Sequence, residues 1–260
     1  MSWRSPLRWV AIGVAAFLVA PTGIVVALSF TERQLLLFPP RGFSLRWYHD
    51  FLASPEWTAA ATTSIRVGLL TAASAAVLGT LTAVGLVRGC YRGRSLILVV
   101  VLSPIVVPAV VVGVGLSLTY GGWGLSGTTA GLVAAHTTLA LPVVVFVVGS
   151  ALRSLDPTLE LAAASLGAGP VRVFFRVTLP QLRRSMVAAA VLSFALSWDE
   201  VVVSMFLASP TERTLPVYMW AQVRHSLQPT IAAAAALTTA GTLVAAAVLA
   251  IAARRRRGEQ

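Results

Sequence analysis

The sequence predicts an all-α protein with six transmembrane helices. Only 11% of the 260 residues are charged and 57% are hydrophobic, whereas soluble domains carry about 25% charged residues. Several apolar runs reach the roughly 20 residues that a helix needs to cross the bilayer core. Lipid provides no hydrogen-bond partners for the backbone, so a spanning segment satisfies its backbone N–H and C=O groups within a helix. Hydropathy places the six spans at residues 9–30, 62–87, 96–119, 130–152, 185–207 and 229–253.

The distribution of arginine predicts which side of the membrane each loop faces. With a cytoplasmic N-terminus, 14 of the 20 basic residues fall on the cytoplasmic side and 6 fall outside or at the outer end of a span. Because cytoplasmic loops are enriched in basic residues, we expect both termini and the loop at 153–184 in the cytoplasm. The same topology accounts for the net charge of +11 beside anionic lipid, so we expect no nucleic-acid partner.

The loop at 153–184 has the pattern of a helix, a corner and a second helix. The Asp-Pro pair at 156–157 is typical of a helix start, and the alanines at 162–164 favour a helix to which a partner can come close. Gly167 permits a sharp corner. Pro170 then begins a second short helix, and Pro180 is expected to end it.

This loop resembles the coupling loop of permease subunits in bacterial binding-protein-dependent ABC importers. The family signature is EAA, three residues, Gly, nine residues and then Ile-x-Leu-Pro. This chain departs from the signature at Leu161, which stands where the glutamate is expected, while Glu160 lies one place earlier. The matching residues are Ala162, Ala163, Gly167, Val177, Leu179 and Pro180.

In that family the loop docks on a separate ATPase subunit, and the motif glutamate can help to anchor it. The resemblance therefore implies a coupling surface made by Glu160, Leu161, Ala162, Ala163, Gly167, Pro170, Leu179 and Pro180. An amphipathic hairpin whose arginines touch lipid phosphates is the alternative for the same loop.

The fifth span carries two adjacent carboxylates. Asp199 and Glu200 are flanked by apolar residues on both sides, and one charged side chain near the middle of a bilayer costs about 3 kcal/mol. At helical spacing, Glu200 continues a stripe of serines. We predict that a water-filled solute passage is lined by Ser193, Ser197, Trp198, Asp199, Glu200 and Ser204. The alternative is a structural acid pair neutralised by Arg66, Arg224 or a partner subunit.

Two other spans contain residues that we place beside the same passage. Pro104 and Pro108 remove backbone donors from the third span and bend it, and the freed carbonyls need neighbouring helices or a wet cavity. His136 in the fourth span is a further candidate for the passage. A histidine in an apolar span more often serves as a donor in helix packing than as a ligand.

A second motif narrows the resemblance. The run SFALSWDEVVV at 193–203 is similar to the SFxLSxDDxxV pattern of the spermidine/putrescine permease group and its opine and phosphonate relatives, with Glu200 in place of the second aspartate. The resemblance implies transport of polyamines or related small charged solutes. Opines, phosphonates and ferric complexes are the alternative cargoes.

The resemblance also implies an assembly. Residues 1–260 would form one transmembrane domain of importer-permease (MetI-like) architecture in the bacterial inner membrane, with 153–184 as its cytoplasmic coupling loop. The implied partners are two copies of an ATPase subunit, a second homologous permease and an extracytoplasmic solute-binding protein. ATP and Mg would be bound by the ATPase, so no cofactor is expected on this chain.

Motifs of self-sufficient catalysis are missing from the sequence. It contains no GxxxxGK(S/T), HExxH or CxxC motif, so it predicts neither a nucleotide site of the usual kind nor a strong metal site. We therefore expect a chain that is not itself an enzyme. One alternative class is a proton-coupled secondary transporter, in which Asp199 and Glu200 would carry protons. Such transporters are commonly built from internal sequence repeats, and we find no convincing repeat in this sequence. The other alternative class is a scaffold protein that transports nothing, but such a role does not explain two adjacent carboxylates within a span.

Overall fold

The computed structural model describes the backbone of residues 4–257 and the side chains of residues 8–247. This part of the chain contains helices, turns and loops but no strand, as predicted. The helices are α1 (Arg4–Leu28), α2 (Arg46–Ala53), α3 (Pro55–Arg88), α4 (Arg94–Val106), α5 (Ala109–Gly122), α6 (Thr129–Arg153), α7 (Thr158–Ser165), α8 (Pro170–Val173), α9 (Leu179–Trp198), α10 (Val202–Leu207), α11 (Leu215–His225) and α12 (Pro229–Arg257).

Four helices in the described region are each long and apolar enough to cross a membrane, namely α1, α3, α6 and α12. The predicted third span is a broken helix, because α4 and α5 meet at an angle of 110°. The break lies at Pro108, which holds the preceding Val107 in an extended conformation and so ends α4. Pro104, by contrast, is accommodated inside α4.

The predicted fifth span, 185–207, is built from α9 and α10 and is interrupted at residues 199–201. Neither piece is a candidate span by itself, because α9 carries the basic pair Arg183 and Arg184 in its N-terminal part and α10 has only 6 residues. With the broken third span counted once, the described region contains up to five crossing segments by length and composition, and the predicted fifth span, 185–207, would be the sixth.

The described residues form two compact units. The first contains the chain up to Ala59 together with Tyr218–Gly241, and the second contains Ala60–Val217 and the chain from Thr242 onwards. In the first unit, the indole of Trp47 on α2 is buried and donates to the carbonyl oxygen of Thr31 at 2.6 Å. The second unit is centred on α3, α6 and α9, whose buried side chains include Ala75, Ala83, Val144, Val148, Leu152, Leu182 and Ala189.

Candidate functional site

The loop at 153–184 forms the corner that the sequence predicts. Asp156 accepts the backbone N–H of Thr158 at 2.9 Å and so caps α7, and this hydrogen bond holds the pKa of the Asp156 carboxyl below its usual value. Gly167 has φ +85°, a left-handed conformation that glycine adopts without strain. Pro170 then occupies the first turn of α8, where its missing N–H is not needed.

The expected end of the second helix at Pro180 is wrong. The chain stays helical from α8 into α9, and Pro180 lies in the first turn of α9. The intervening residues Phe174–Thr178 form a π-helical turn, in which the N–H of Leu179 bonds the carbonyl of Phe174. Because this wider turn changes the hydrogen-bond register, the helix absorbs a proline that would otherwise break it.

The corner presents apolar side chains to the outside of the subunit. Leu161 is 65% exposed and Leu166 is 90% exposed. A shallow groove of about 490 Å³ runs along the corner and is lined by Gly167, Gly169, Pro170, Val171, Arg172, Phe175 and Arg176. Contiguous exposed apolar surface rimmed by charge is typical of a protein interaction site.

Glu160 faces the opposite way and is bound within the chain. Its Oε2 lies 3.0 Å from Nε of Arg88, the last residue of α3, and its Oε1 accepts the hydroxyl of Thr178 at 2.9 Å. Arg88 also donates to the carbonyl of Leu152 near the end of α6. We call Arg88, Glu160 and Thr178 the inner clamp. The clamp ties α7 to α3 and to the π-helical turn, and it leaves Leu161 on the open side of α7.

His136 joins the two pieces of the broken fifth span. Its Nδ1 lies 2.6 Å from the hydroxyl of Ser197 at the end of α9, and its Nε2 lies 2.8 Å from the hydroxyl of Ser204 on α10. All three side chains are buried, as is that of Ser193, which donates to the carbonyl of Ala189. Within this subunit the serine stripe therefore packs against α6, and its role in a solute passage stays a prediction.

The two acids occupy the break between α9 and α10 and differ in their surroundings. Glu200 is half-buried, and its Oε1 accepts the backbone N–H of Val203 at 2.8 Å, which caps α10. Asp199 is exposed, and its carboxylate has no hydrogen bond or ion pair among the side chains described for residues 8–247. Trp198 stacks on Phe194 with ring centroids 5.7 Å apart. Within the same described residues, no cluster of three or more His, Cys, Asp or Glu side chains is placed to hold a metal ion.

The chain matches a known family over most of its length. The family described as binding-protein-dependent transport system inner membrane component matches residues 75–258. The putrescine transport system permease protein PotI of Escherichia coli (strain K12) is 35% identical over 238 residues, covering 88% of this chain and 84% of that protein. The spermidine/putrescine transport system permease protein PotC of the same strain is 31% identical over 227 residues, covering 85% and 83%. This chain belongs to that family of importer permeases.

Solved structures confirm the fold of the permease. A chain of a bacterial ABC transporter involved in the import of the acidic polysaccharide alginate superposes with a TM-score of 0.70 at 14% identity, covering 96% of this chain and 95% of that chain. An amino acid ABC transporter with histidines gives 0.61 at 16% identity, covering 80% and 98%. The all-α importer-permease architecture is therefore confirmed.

Family membership also settles the general role of the permease. It is a multi-pass subunit of the inner membrane in an ATP-driven importer, and it works with a solute-binding protein and with permease partners. ATP hydrolysis is carried out by a separate subunit, so the permease is not an enzyme. The secondary-transporter and scaffold hypotheses are thereby replaced.

A second polar cluster, which the sequence alone did not reveal, lies in the segment that follows the fifth span. Glu212 accepts two bonds from Arg66 on α3, at 2.6 and 2.8 Å, and one from Thr129 on α6 at 2.8 Å. Arg66 is thus paired with Glu212 and does not neutralise the acids at 199–200. Burial raises the pKa of the Glu212 carboxyl, but the bonds from Arg66 and Thr129 outweigh it, so the pKa lies below its ordinary value of 4.5.

Glu160→Gln should destabilise the permease by removing the charge of the inner clamp. Both partners are mostly shielded, with Arg88 28% and Glu160 19% exposed, and a hydrogen bond to a charged group is worth about 1.5–3 kcal/mol. We expect a loss of about that size in the free energy of unfolding, measured by thermal denaturation of the purified protein. The control is Leu161→Gln on the exposed side of α7, which should change stability by less than about 0.5 kcal/mol. Equal effects of the two variants would contradict the clamp.

Glu212→Gln should destabilise the permease at neutral pH and have less effect in acid. A carboxyl whose pKa is lowered by folding stabilises the protein above its unfolded pKa, and this contribution disappears as the pH falls through the folded pKa. The difference in Tm between wild type and Glu212→Gln should therefore be constant near pH 7 and shrink below about pH 4.5. A difference that grew on acidification would show that the carboxylate is not held in its charged form.

Proposed function

We propose that this permease forms half of the passage of a polyamine importer, with putrescine or spermidine as its solute. The similarity to PotI and PotC, two proteins named for these solutes, extends over 88% and 85% of the chain. The observation that carries the proposal is the exposed carboxylate of Asp199, which lies at the break in the fifth span and directly follows Trp198 in the chain. A carboxylate attracts an organic ammonium by charge, and a nearby tryptophan ring would add cation–π attraction.

Similarity to another permease, over a smaller part of the chain, favours a different solute. The probable molybdenum ABC transporter permease protein HVO_B0370 of Haloferax volcanii is 37% identical over 169 residues, or 62% of this chain. That similarity covers less of the chain than the similarity to PotI and PotC. An anionic cargo would also be repelled by Asp199. Opines, phosphonates and ferric complexes remain the second group of candidate solutes.

The corner at Gly167 is the proposed contact with the ATPase. Its exposed leucines and the groove beside them supply an apolar surface rimmed by Arg172 and Arg176. We place this loop, 153–184, in the cytoplasm together with both termini, where the excess of arginine favours it. Two ATPase copies would bind ATP and Mg there, one of them against this loop, and Leu161 would contribute packing where relatives have a glutamate.

The inner clamp offers a route by which movement of the ATPase reaches the passage. A push on α7 passes through Glu160 to Arg88 on α3 and to Thr178, which leads directly into α9. The far end of α9 is the break that contains Asp199. His136 holds both sides of that break, so α9 and α10 would move relative to each other about this residue.

The permease supplies only part of a passage. We propose that residues 1–260 act as one domain beside a second homologous permease, and that the binding protein delivers solute at the outer face. Pro104 and Pro108 would contribute through the break between α4 and α5. Ser193, Ser197, Ser204 and His136 would shape the passage from the buried side, while Trp198, Asp199 and Glu200 would face the solute.

Gly167→Asp should abolish uptake while the assembled transporter remains in the membrane. The substitution places a side chain at φ +85°, a conformation that costs most residues about 1–2 kcal/mol, and it adds charge to the apolar corner. Uptake of labelled putrescine into vesicles, together with co-purification of the subunits, measures both effects.

The control is Gly169→Asp, because Gly169 has φ −66° and caps α8, a position that aspartate suits. This variant should retain much more uptake than Gly167→Asp. Undiminished uptake in Gly167→Asp would count against the role of the corner in docking.

Asp199→Asn should reduce amine uptake more than Glu200→Gln does. The amide at 200 can still accept the N–H of Val203 and cap α10, whereas Asn at 199 removes the exposed charge at the break. Losing one charged contact in a partly hydrated site should lower uptake about tenfold at limiting putrescine.

The matched measurement is ATP hydrolysis by the same variants, which should stay coupled because the inner clamp is intact. If Asp199→Asn combined with Glu200→Gln left transport of every amine unchanged, the proposed solute contact would be abandoned, while the role as an importer permease would stand.

A further inference from the structure

A small cavity lies between α3, α4 and α6, near the ends of these helices that adjoin the coupling loop. Its volume is about 250 Å³. Arg94, the first residue of α4, and Arg153, the last residue of α6, bring positive charge to one part of its wall. The remaining lining is apolar or glycine and consists of Ala83, Leu86, Val87, Leu98, Leu102, Val145, Phe146 and Gly149.

The two arginines of the cavity lack a counter-charge. Both are exposed, and neither guanidinium group has a hydrogen bond or ion pair in the described residues. Arg88, which ends the neighbouring α3, is already paired with Glu160. An anionic group at this part of the wall would therefore meet guanidinium groups that carry no counter-charge, and a guanidinium favours a phosphate by its charge and its planar fork of donors.

The apolar wall of the cavity continues onto the outer surface of the helices. Leu98 is 41% exposed and Phe146 is 69% exposed, so the cavity opens towards whatever surrounds α4 and α6. Sites that enclose a whole small ligand occupy about 300–1,000 Å³. A cavity of 250 Å³ thus suits one part of an elongated molecule whose remainder lies along the surface.

We propose that this cavity binds an anionic phospholipid. The phosphate lies between Arg94 and Arg153, and the start of an acyl chain follows Leu98, Leu102 and Phe146 into the bilayer. Basic pockets between transmembrane helices are suited to anionic headgroups, and the apolar wall selects a lipid over free phosphate. The solute carried by the permease plays no part in this site.

A lipid bound here would stabilise the base of the coupling loop. Arg153 is both the last residue of α6 and the first residue of the segment 153–184, and Arg94 begins α4. One phosphate between them fixes α4 to α6 beside the inner clamp of Glu160 and Arg88.

The test measures phosphatidylglycerol retained by the full-length permease, purified with its co-purifying subunits from vesicles of phosphatidylglycerol and phosphatidylcholine. Native mass spectrometry reports the bound lipid. One arginine near an anionic membrane surface is worth about 1 kcal/mol, so retention should fall about fivefold for Arg94→Gln and about thirtyfold for Arg94→Gln with Arg153→Gln. Leu102→Trp, which fills the apolar part, should also lose the lipid while keeping both arginines.

The matched control is Arg92→Gln with Arg183→Gln, which removes two exposed arginines outside the cavity and should retain the lipid. Equal loss in this control would show that general surface charge holds the lipid, and the proposal would fail. Displacement by inorganic phosphate alone, with no effect of Leu102→Trp, would identify a simple anion site. The proposal would also fail if the wild-type complex contained no phosphatidylglycerol and a cross-linker placed at position 94 captured the second permease. The cavity would then belong to a subunit interface. If Leu102→Trp fails to fold, the arginine variants and their control decide.

Discussion

The ion pair between Arg88 and Glu160 is the contact on which the rest of the coupling region depends. A short helix such as α7, with 8 residues, has little stability of its own in water. Here it is held by a carboxylate that reaches across to α3 and to the hydroxyl of Thr178. Since both partners are largely shielded from solvent, their attraction is stronger than that of a surface pair. The corner at Gly167 can therefore act as a lever whose base is fixed.

The inner clamp also explains why the position of the glutamate matters. At Leu161 a glutamate would point to the open side of α7, whereas at 160 it points into the subunit. The chain thus has an apolar residue on the exposed side of α7, where we propose docking, and its acid forms an ion pair within the subunit. A loop stiffened in this way is suited to the proposed coupling, in which displacement would pass into α9 through the π-helical turn.

Local chemistry allowed the corner and a bend in the third span to be predicted, because an aspartate cap, a left-handed glycine and a proline act on their immediate neighbours. It did not show that the bend would be a break at Pro108 while Pro104 stayed inside α4. Pro180 was misjudged, since a π-helical turn depends on how a whole segment fits its surroundings. The partners of Glu160 and His136 lie far away along the chain, at Arg88, Ser197 and Ser204. Pattern alone placed the serines on one stripe, but it gave no information about which helix would cover that stripe.

The two broken helices meet the same physical requirement. Each break frees backbone groups within a membrane, and such groups need partners. At residues 199–201 the partner is Glu200, which caps α10, and His136 fixes the flanking serines. The carboxylate of Asp199 takes no part in these contacts, and for this reason we propose that it binds the solute.

The corner at Gly167 is proposed to receive force from an ATP-hydrolysing subunit. A photo-reactive amino acid at Leu166, which is 90% exposed, tests it directly in intact membranes. We expect a cross-link to a protein that binds and hydrolyses ATP, and no such product from the same probe at the fully buried Leu182. Failure to capture an ATPase from Leu166, or labelling of this position from the external side of the membrane, would contradict the account.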